Sequence, residues 1–317
     1  MLSHPHFIDR AALHLFHLQA AGNPVYREYL KLLGCDPAGV TSVDRIPFLP
    51  VNFFKSHRVV TGPGREVRVF ESSGTTGAQT SKHYLLSESE YTDSYLSGFR
   101  QFFGEPSDWC ILSLLPSYLE RQNSSLVFMM DHLIRLSRHP LSGFYLNNLD
   151  ELANNLSDLE KSGQKTILLG VTYALLDLAE QFPMPLKKTL IVETGGMKGR
   201  REEITREELH DILKRAFGVG SVGSEYGMTE LLSQAWSKEN GIFHTPPQMQ
   251  ILIRDPYNPF RRLPAGKTGG IDIIDLANRH SCAFIQTQDL GQLNPDGTFE
   301  VLGRFDNSEI RGCNLLA

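Results

Sequence analysis

The 317-residue chain is poor in cysteine and tryptophan, with four and two respectively, and each scarcity excludes something. Cys35, Cys110, Cys282 and Cys313 lie far apart with no CxxC pair. A disulfide framework and a cysteine-based zinc cluster are therefore both excluded. Basic residues are in deficit: 31 Lys and Arg stand against 36 Asp and Glu, a net charge of −5. Such a balance offers no broad positive face for nucleic acid or anionic lipid, so an anionic ligand must be met by local donors. No stretch approaches the roughly 18 uninterrupted apolar residues a membrane span needs. The opening MLSHPHFIDR carries His, Pro and Asp where a secretory signal has a basic start and an apolar run. No membrane span and a cytoplasmic location are expected. The remaining composition, 41% hydrophobic and 21% charged, is that of a folded chain with a sizeable core.

Periodicity predicts an α/β architecture. Phe7, Ala11, Leu15 and Leu18, then Val25, Tyr29 and Leu32, recur at helical spacing, interrupted by Gly22-Asn23-Pro24. Glu66 to Phe70 alternates as a strand and runs into a small-residue loop, Ser72 to Gly77. Capping boxes at Ser87/Glu90 and Thr205/Glu208 predict helices to about Phe103 and to Gly218. Strands are expected at Trp109–Leu115, Thr166–Leu169 and Thr189–Val192, with helices at Ser124–Leu136 and Tyr173–Gln181. Alternation of this kind favours parallel βαβ units. Beyond Phe243 the chain changes to short β-like runs punctuated by Pro and Gly, including the turn Asn294-Pro295-Asp296-Gly297. The expected division is an α/β region at 1–242, with a helical N-terminal segment, and a β-rich subdomain at 243–317.

The stretch Ser72-Ser73-Gly74-Thr75-Thr76-Gly77-Ala78-Gln79-Thr80-Ser81-Lys82 carries four hydroxyls and two glycines in its first six residues. Exposed backbone N–H groups, hydroxyls and a lysine suit a polyphosphate, whose oxygens each need a donor. The Walker spacing is absent. A solvated turn is the competing reading on composition alone.

This loop resembles the phosphate-binding signature of the adenylate-forming (AMP-binding) enzymes. Three further landmarks of that superfamily follow in order. Tyr226-Gly227-Met228-Thr229-Glu230 is similar to its YGxTE segment; Thr287, Asp289, Leu290 and Gly291 to its TxDLG segment; and Gly303-Arg304-Phe305-Asp306 with Arg311-Gly312 to its hinge motif. The resemblance implies the large N-terminal domain of that fold and ATP with Mg2+ as the cofactors. Ser72 opens the phosphate loop, and Ser73, Thr75, Thr76 and Lys82 would hold the β- and γ-phosphates, with Gly74 and Gly77 giving the backbone room. Glu230 would carry the metal, Thr229 would meet the α-phosphate, and Tyr226, with Gly227, would lie against adenine. Asp289 would accept from both ribose hydroxyls, having two acceptor oxygens and no donor. Arg304 would reach the ribose or phosphate edge. Gly195 and Gly196 are placed at the adenine wall, although a plain tight turn is equally compatible.

Only eleven residues follow Asp306, so the C-terminal lid domain, with its catalytic lysine, is expected to be absent. Lys198 and Arg200 are candidates to replace that lysine. The ending and the Glu193-Thr194-Gly195-Gly196-Met197-Lys198 segment are closest to the acyl-protein synthetases of bacterial luminescence, with the phenylacetate-CoA ligases second. In the first branch the acyl group passes to a cysteine near the C-terminus, which makes Cys313 the candidate acceptor beside Arg311. The expected activity is ATP-dependent activation of a carboxylic acid, a fatty acid in the first place, with transfer to a protein thiol. An acyl-accepting reductase or carrier protein is the expected partner. An aryl or phenylacetate-type CoA ligase, and a non-catalytic nucleotide-binding partner in an acyl-transfer complex, are the alternatives.

Overall fold

The computed structural model describes residues 5–73, 79–116, 121–195 and 204–305. The chain forms two compact units: residues 66–246, and residues 1–65 together with 247–317. The N-terminal helices are grouped with residues 247–317.

The first unit starts with helices α1 (Pro5–Gly22) and α2 (Pro24–Leu32), followed by β1 (Leu49–Pro50) and α3 (Phe53–Ser56). Asn23 separates the two long helices. Its Oδ1 caps α2 by accepting from the Val25 and Tyr26 N–H groups, and its Nδ2 donates to the Ser281 carbonyl at 3.1 Å. Gln19 works alongside: Nε2 donates to the Asn278 carbonyl at 2.9 Å and Oε1 accepts from Ala283 N at 2.9 Å. Two buried amides, far from 278–283 in sequence, thus satisfy that segment's backbone, which explains why this unit is discontinuous. Its sheet is antiparallel, β11 (Met249–Arg254), β12 (Thr268–Asp275), β13 (Phe284–Leu293) and β14 (Phe299–Arg304) in that order, with β1 parallel to β13 at Ile285 and Gln286. Phe284 anchors the core, its ring meeting those of Phe16, Tyr26 and Phe48.

The second unit runs from a hairpin, β2 (Arg68–Glu71) and β3 (Lys82–Leu85), through α4 (Glu88–Phe103), β4 (Cys110–Leu114), α5 (Ser125–Ser137), β5 (Gly143–Phe144) and α6 (Leu149–Ser162). It continues with β6 (Thr166–Val171), α7 (Thr172–Gln181), β7 (Thr189–Thr194), α8 (Arg206–Phe217), β8 (Gly223–Tyr226), β9 (Ala235–Ser237) and β10 (Ile242–His244). Strands β8, β7, β6, β4 and β5 are parallel in that spatial order, and β9 and β10 extend the β8 side antiparallel. β4 and β6 are buried at every position, as a sheet covered on both faces requires. The Thr205/Glu208 capping box forms and α8 ends at Gly218 in the left-handed conformation, φ 60°. At α4 the box does not form: Ser87 makes no cap bond, and its hydroxyl is shared with Ser89 at 2.8 Å. A mixed α/β fold with a β-rich unit is what the sequence predicts. Among the described residues no helix is long and apolar enough to cross a membrane.

Candidate active site

Ligands of open parallel sheets sit beyond the carboxyl ends of the strands. In the second unit that edge carries Pro116 after β4, Thr172 after β6, Gly195 after β7 and Gly227 after β8. Gly195 takes φ +68°, and its carbonyl accepts from the Thr172 hydroxyl at 2.7 Å, fixing the exit of β7. Tyr226 closes β8, buried with its ring edge-on to Phe243 at 5.9 Å. The chain then turns, Leu231 N donating to the Met228 carbonyl at 3.1 Å, so that Thr229 and Glu230 are the central residues of the turn and Glu230 is 5% exposed.

Three groups brace this turn. Glu225 lies over Gly227, where a Cβ would strike its carboxylate and force it to move. The Glu225 carboxylate in turn accepts from Thr194 Oγ1 at 2.5 Å, linking the ends of β7 and β8. Burial pushes the Glu225 carboxyl up to about 7; the Thr194 hydroxyl pulls it down and neighbouring Glu193 pushes it further up. Glu193, also buried, is held by Arg206 Nε at 3.2 Å. From the other side the His83 ring, 1% exposed, bonds through Nδ1 to the Thr229 carbonyl at 2.9 Å.

The hydroxyl-rich loop joins β2 to β3, an antiparallel hairpin and not a strand-to-helix turn. Its base is closed by Ser72 N donating to the Ser81 carbonyl at 3.0 Å and Ser81 N donating to Ser72 Oγ at 2.9 Å. Ser73 is exposed. Lys82 and His83 point to opposite faces of β3: Lys82 is exposed and pairs across the hairpin with Glu71 at 3.5 Å, while His83 turns inward. Gly74, Thr75, Thr76, Gly77, Gly196, Lys198, Arg200 and Cys313 lie outside the described residues.

In the first unit Asp289 and Arg304 face each other across β13 and β14, with Nε donating to Oδ1 at 3.1 Å. Asp289 is buried whereas the Arg304 side chain is 82% exposed. Thr287, two residues away on the same face of β13, accepts from Asp289 N at 3.1 Å and donates to the Ile271 carbonyl at 2.8 Å. Under this strand lies an arginine clamp that the motifs did not announce. Arg254, 5% exposed, donates to Asp272 at 2.6 Å, to the Ile271 carbonyl at 2.8 Å and to the Thr287 carbonyl at 2.6 Å. Arg262 takes the other oxygen of Asp272. The guanidinium of Arg254 fills the space over Gly270, which no Cβ could share.

His83, Glu225 and Arg254 are the contributions to these sites that motif reading missed. Arg254 has no local signature. The inward turn of His83 is implicit in the alternation of Lys-His-Tyr-Leu, and Glu225 adjoins a landmark without belonging to it.

The LuxE acyl-protein synthetase family matches this chain over residues 7–317. The chain belongs to that family. No curated protein matches it. Among solved structures, ATP-bound MatB from Rhodopseudomonas palustris is 20% identical at a TM-score of 0.56, with 74% of this chain and 47% of that one covered. O-succinylbenzoate coenzyme A synthetase (MenE) from Bacillus subtilis, in complex with AMP, is 18% identical at 0.52, with coverage of 75% and 49%. An open 2-hydroxyisobutyryl-CoA ligase in complex with 2-HIB-AMP and CoA is 14% identical at 0.64, with coverage of 95% and 69%. The fold is therefore that of adenylate-forming enzymes, and this LuxE family member spans about half the length of MatB and MenE.

Proposed function

We propose that this LuxE family member activates a carboxylic acid, a fatty acid in the first place, as its acyl adenylate at the expense of ATP, and hands the acyl group to a thiol. One observation carries the reading. The Tyr226–Glu230 turn stands at the carboxyl edge of the parallel sheet beside Thr194-Gly195, and His83 ties it to the strand that leaves the hydroxyl-rich loop.

Attack of a carboxylate on the α-phosphate brings negative groups together, so the site must neutralise charge. Ser73, Thr75, Thr76 and Lys82 are assigned to the leaving pyrophosphate, and Thr229 to the α-phosphate. Tyr226 and Gly227, with Gly195 and Gly196, are assigned to the base. Glu230 offers a hard carboxylate oxygen of the kind that suits Mg2+, which when bound would neutralise charge on the phosphate oxygens. The ribose role of Asp289 and Arg304 rests on the family resemblance. Asp289 suits it chemically: it is a buried acceptor whose partner Arg304 is exposed.

A thiolate is the better acceptor, and burial works against it at every described cysteine. Cys110 is pushed up to about 11 and Cys282 to about 12, and Cys35 is also raised. Cys313 is the acceptor that the family resemblance assigns, and it would carry the thioester to a reductase or carrier protein.

Hydroxylamine trapping with ATP, Mg2+ and a panel of acids tests the reading. Hydroxamate and pyrophosphate are expected with fatty acids, together with an acyl-labelled protein band abolished by Cys313→Ser. Rapid acyl-CoA formation on adding coenzyme A would instead favour a CoA ligase. Nucleotide binding without acid-dependent AMP would favour a non-catalytic partner.

A further inference from the structure

We infer that His83 is a positioning residue for adenylation: its ring fixes the Thr229–Glu230 turn relative to the strand that leaves the hydroxyl-rich loop. The inference rests on the proposed activity, but it concerns a residue outside the family landmarks. A carbonyl oxygen only accepts, so the contact between Nδ1 and the Thr229 carbonyl at 2.9 Å requires the proton to sit on Nδ1. The ring is 1% exposed, and a buried donor–acceptor pair holds its geometry because breaking it leaves both groups unsatisfied.

Placement gives the bond its consequence. His83 follows Lys82 directly and lies one strand residue from the Ser72/Ser81 closure of the loop, while the accepting carbonyl belongs to the residue assigned to the α-phosphate. The loop and the turn come from segments 146 residues apart. Thr194 and Glu225 brace the turn from the sheet side only. The His83 bond thus registers the turn against the hairpin, and catalysis that depends on positioned charge is sensitive to such registration.

The test compares His83→Leu with His83→Asn, because the asparagine Nδ2 occupies nearly the place of the histidine Nδ1 and keeps the donor. With ATP, Mg2+ and the best acid, His83→Leu is expected to lower kcat by about 10- to 100-fold with a smaller change in the KM for ATP. His83→Asn is expected to recover most of the loss. Equal losses in both variants, or wild-type kcat in His83→Leu, overturn the inference. Two measurements need no turnover and separate this failure from failure of the adenylation reading. Nitrogen-15 NMR of the wild type should show a protonated Nδ1 at His83, and a bare Nδ1 overturns the assignment. Hydrogen exchange of the peptide containing the Leu231 N–H should quicken about 10-fold in His83→Leu and not in His83→Asn, as expected when a local opening is made easier; unchanged exchange overturns it. If wild-type protein forms no adenylate with any acid, the adenylation reading falls, and these two measurements still decide whether His83 holds the turn.

Discussion

Asp272 in the antiparallel unit and Glu225 in the parallel one are both carboxylates taken out of water, yet Asp272 meets two guanidinium groups and Glu225 meets a threonine hydroxyl. Burial raises the Asp272 carboxyl even against Arg254 and Arg262, and it lowers Arg254 in turn. Desolvation therefore outweighs attraction at both partners. Such a cluster is poor as a source of net stability but expensive to break, because removing one member strands the others. Among the described residues Glu225 pairs with no cation, so burial, with Glu193 as a neighbour, holds its carboxyl up at about 7. The first acid fixes a strand, Thr287 to Asp289, in a single arrangement. The second leaves the braces of the Tyr226–Glu230 turn responsive to pH.

The sharpest way to break this contrast is Asp272→Ala. It uncovers Arg254 and Arg262 in a site where Asp272 is 1% exposed, and about 3–5 kcal/mol of stability should be lost. A urea or thermal unfolding curve reads this directly. A loss below about 1 kcal/mol would mean the cluster is solvated and the rigid half of the comparison is mistaken.

Glu225→Gln probes the other half and should act in the opposite direction. The folded carboxyl is raised to about 7 from an ordinary 4.5. Below the lower value both states are protonated and nothing is lost. Between the two, the unfolded chain releases a proton that the folded one keeps, so stability falls as pH rises. Above about pH 7 the deficit is constant, at most about 3 kcal/mol. Glutamine keeps an acceptor for Thr194 Oγ1 and cannot ionise. The variant should therefore melt with the wild type near pH 4.5 and above it at pH 8. Melting curves that stay parallel from pH 4.5 to 8 would show that Glu225 is ionised throughout.

How far these features could be read in advance depends on how local their causes are. The α8 helix was legible because Thr205, Glu208 and Gly218 encode its start and stop within the element itself. β6 was legible because Ile167, Leu168 and Leu169 form an apolar run buried on both faces, with no polar alternation to disguise it. The failed box at Ser87 shows the limit: the spacing was present, but a neighbouring hydroxyl at Ser89 took the bond. β3 and β8 were missed because they are four residues long and sit beside glycine-bearing loops that dominate the local pattern. In the candidate site the landmarks named Asp289 and Arg304, which the register does place opposite each other. They did not name His83 or Arg254, whose partners are 146 and 33 residues away, respectively, for the Thr229 and Thr287 carbonyls. Non-local hydrogen bonds to main-chain carbonyls leave no signature in residue type.

A smaller effect separates binding from stability within the first unit. Arg304→Met removes an arginine that is 82% exposed from its pairing with Asp289, so unfolding should shift by less than about 1 kcal/mol. Nucleotide affinity should fall while the melting temperature holds, read by calorimetric titration with ATP. Unchanged affinity would remove Arg304 from the nucleotide site and leave it as a surface partner of Asp289.

The smallest expected change in stability is at Lys82, and there it is the mismatch between stability and activity that is informative. Lys82 and Glu71 are 46% and 35% exposed and 3.5 Å apart; a pair of this kind contributes about 0.5 kcal/mol or less in physiological salt. Lys82→Met should leave unfolding nearly unchanged. If the ammonium serves the phosphates, it must leave Glu71 to do so, and Lys82→Met should then raise the KM for ATP while Glu71→Gln, which frees the lysine, should not. Matching losses in both variants would instead show that the Lys82–Glu71 bridge acts only by holding the β2–β3 hairpin together, and Lys82 would drop out of the chemistry.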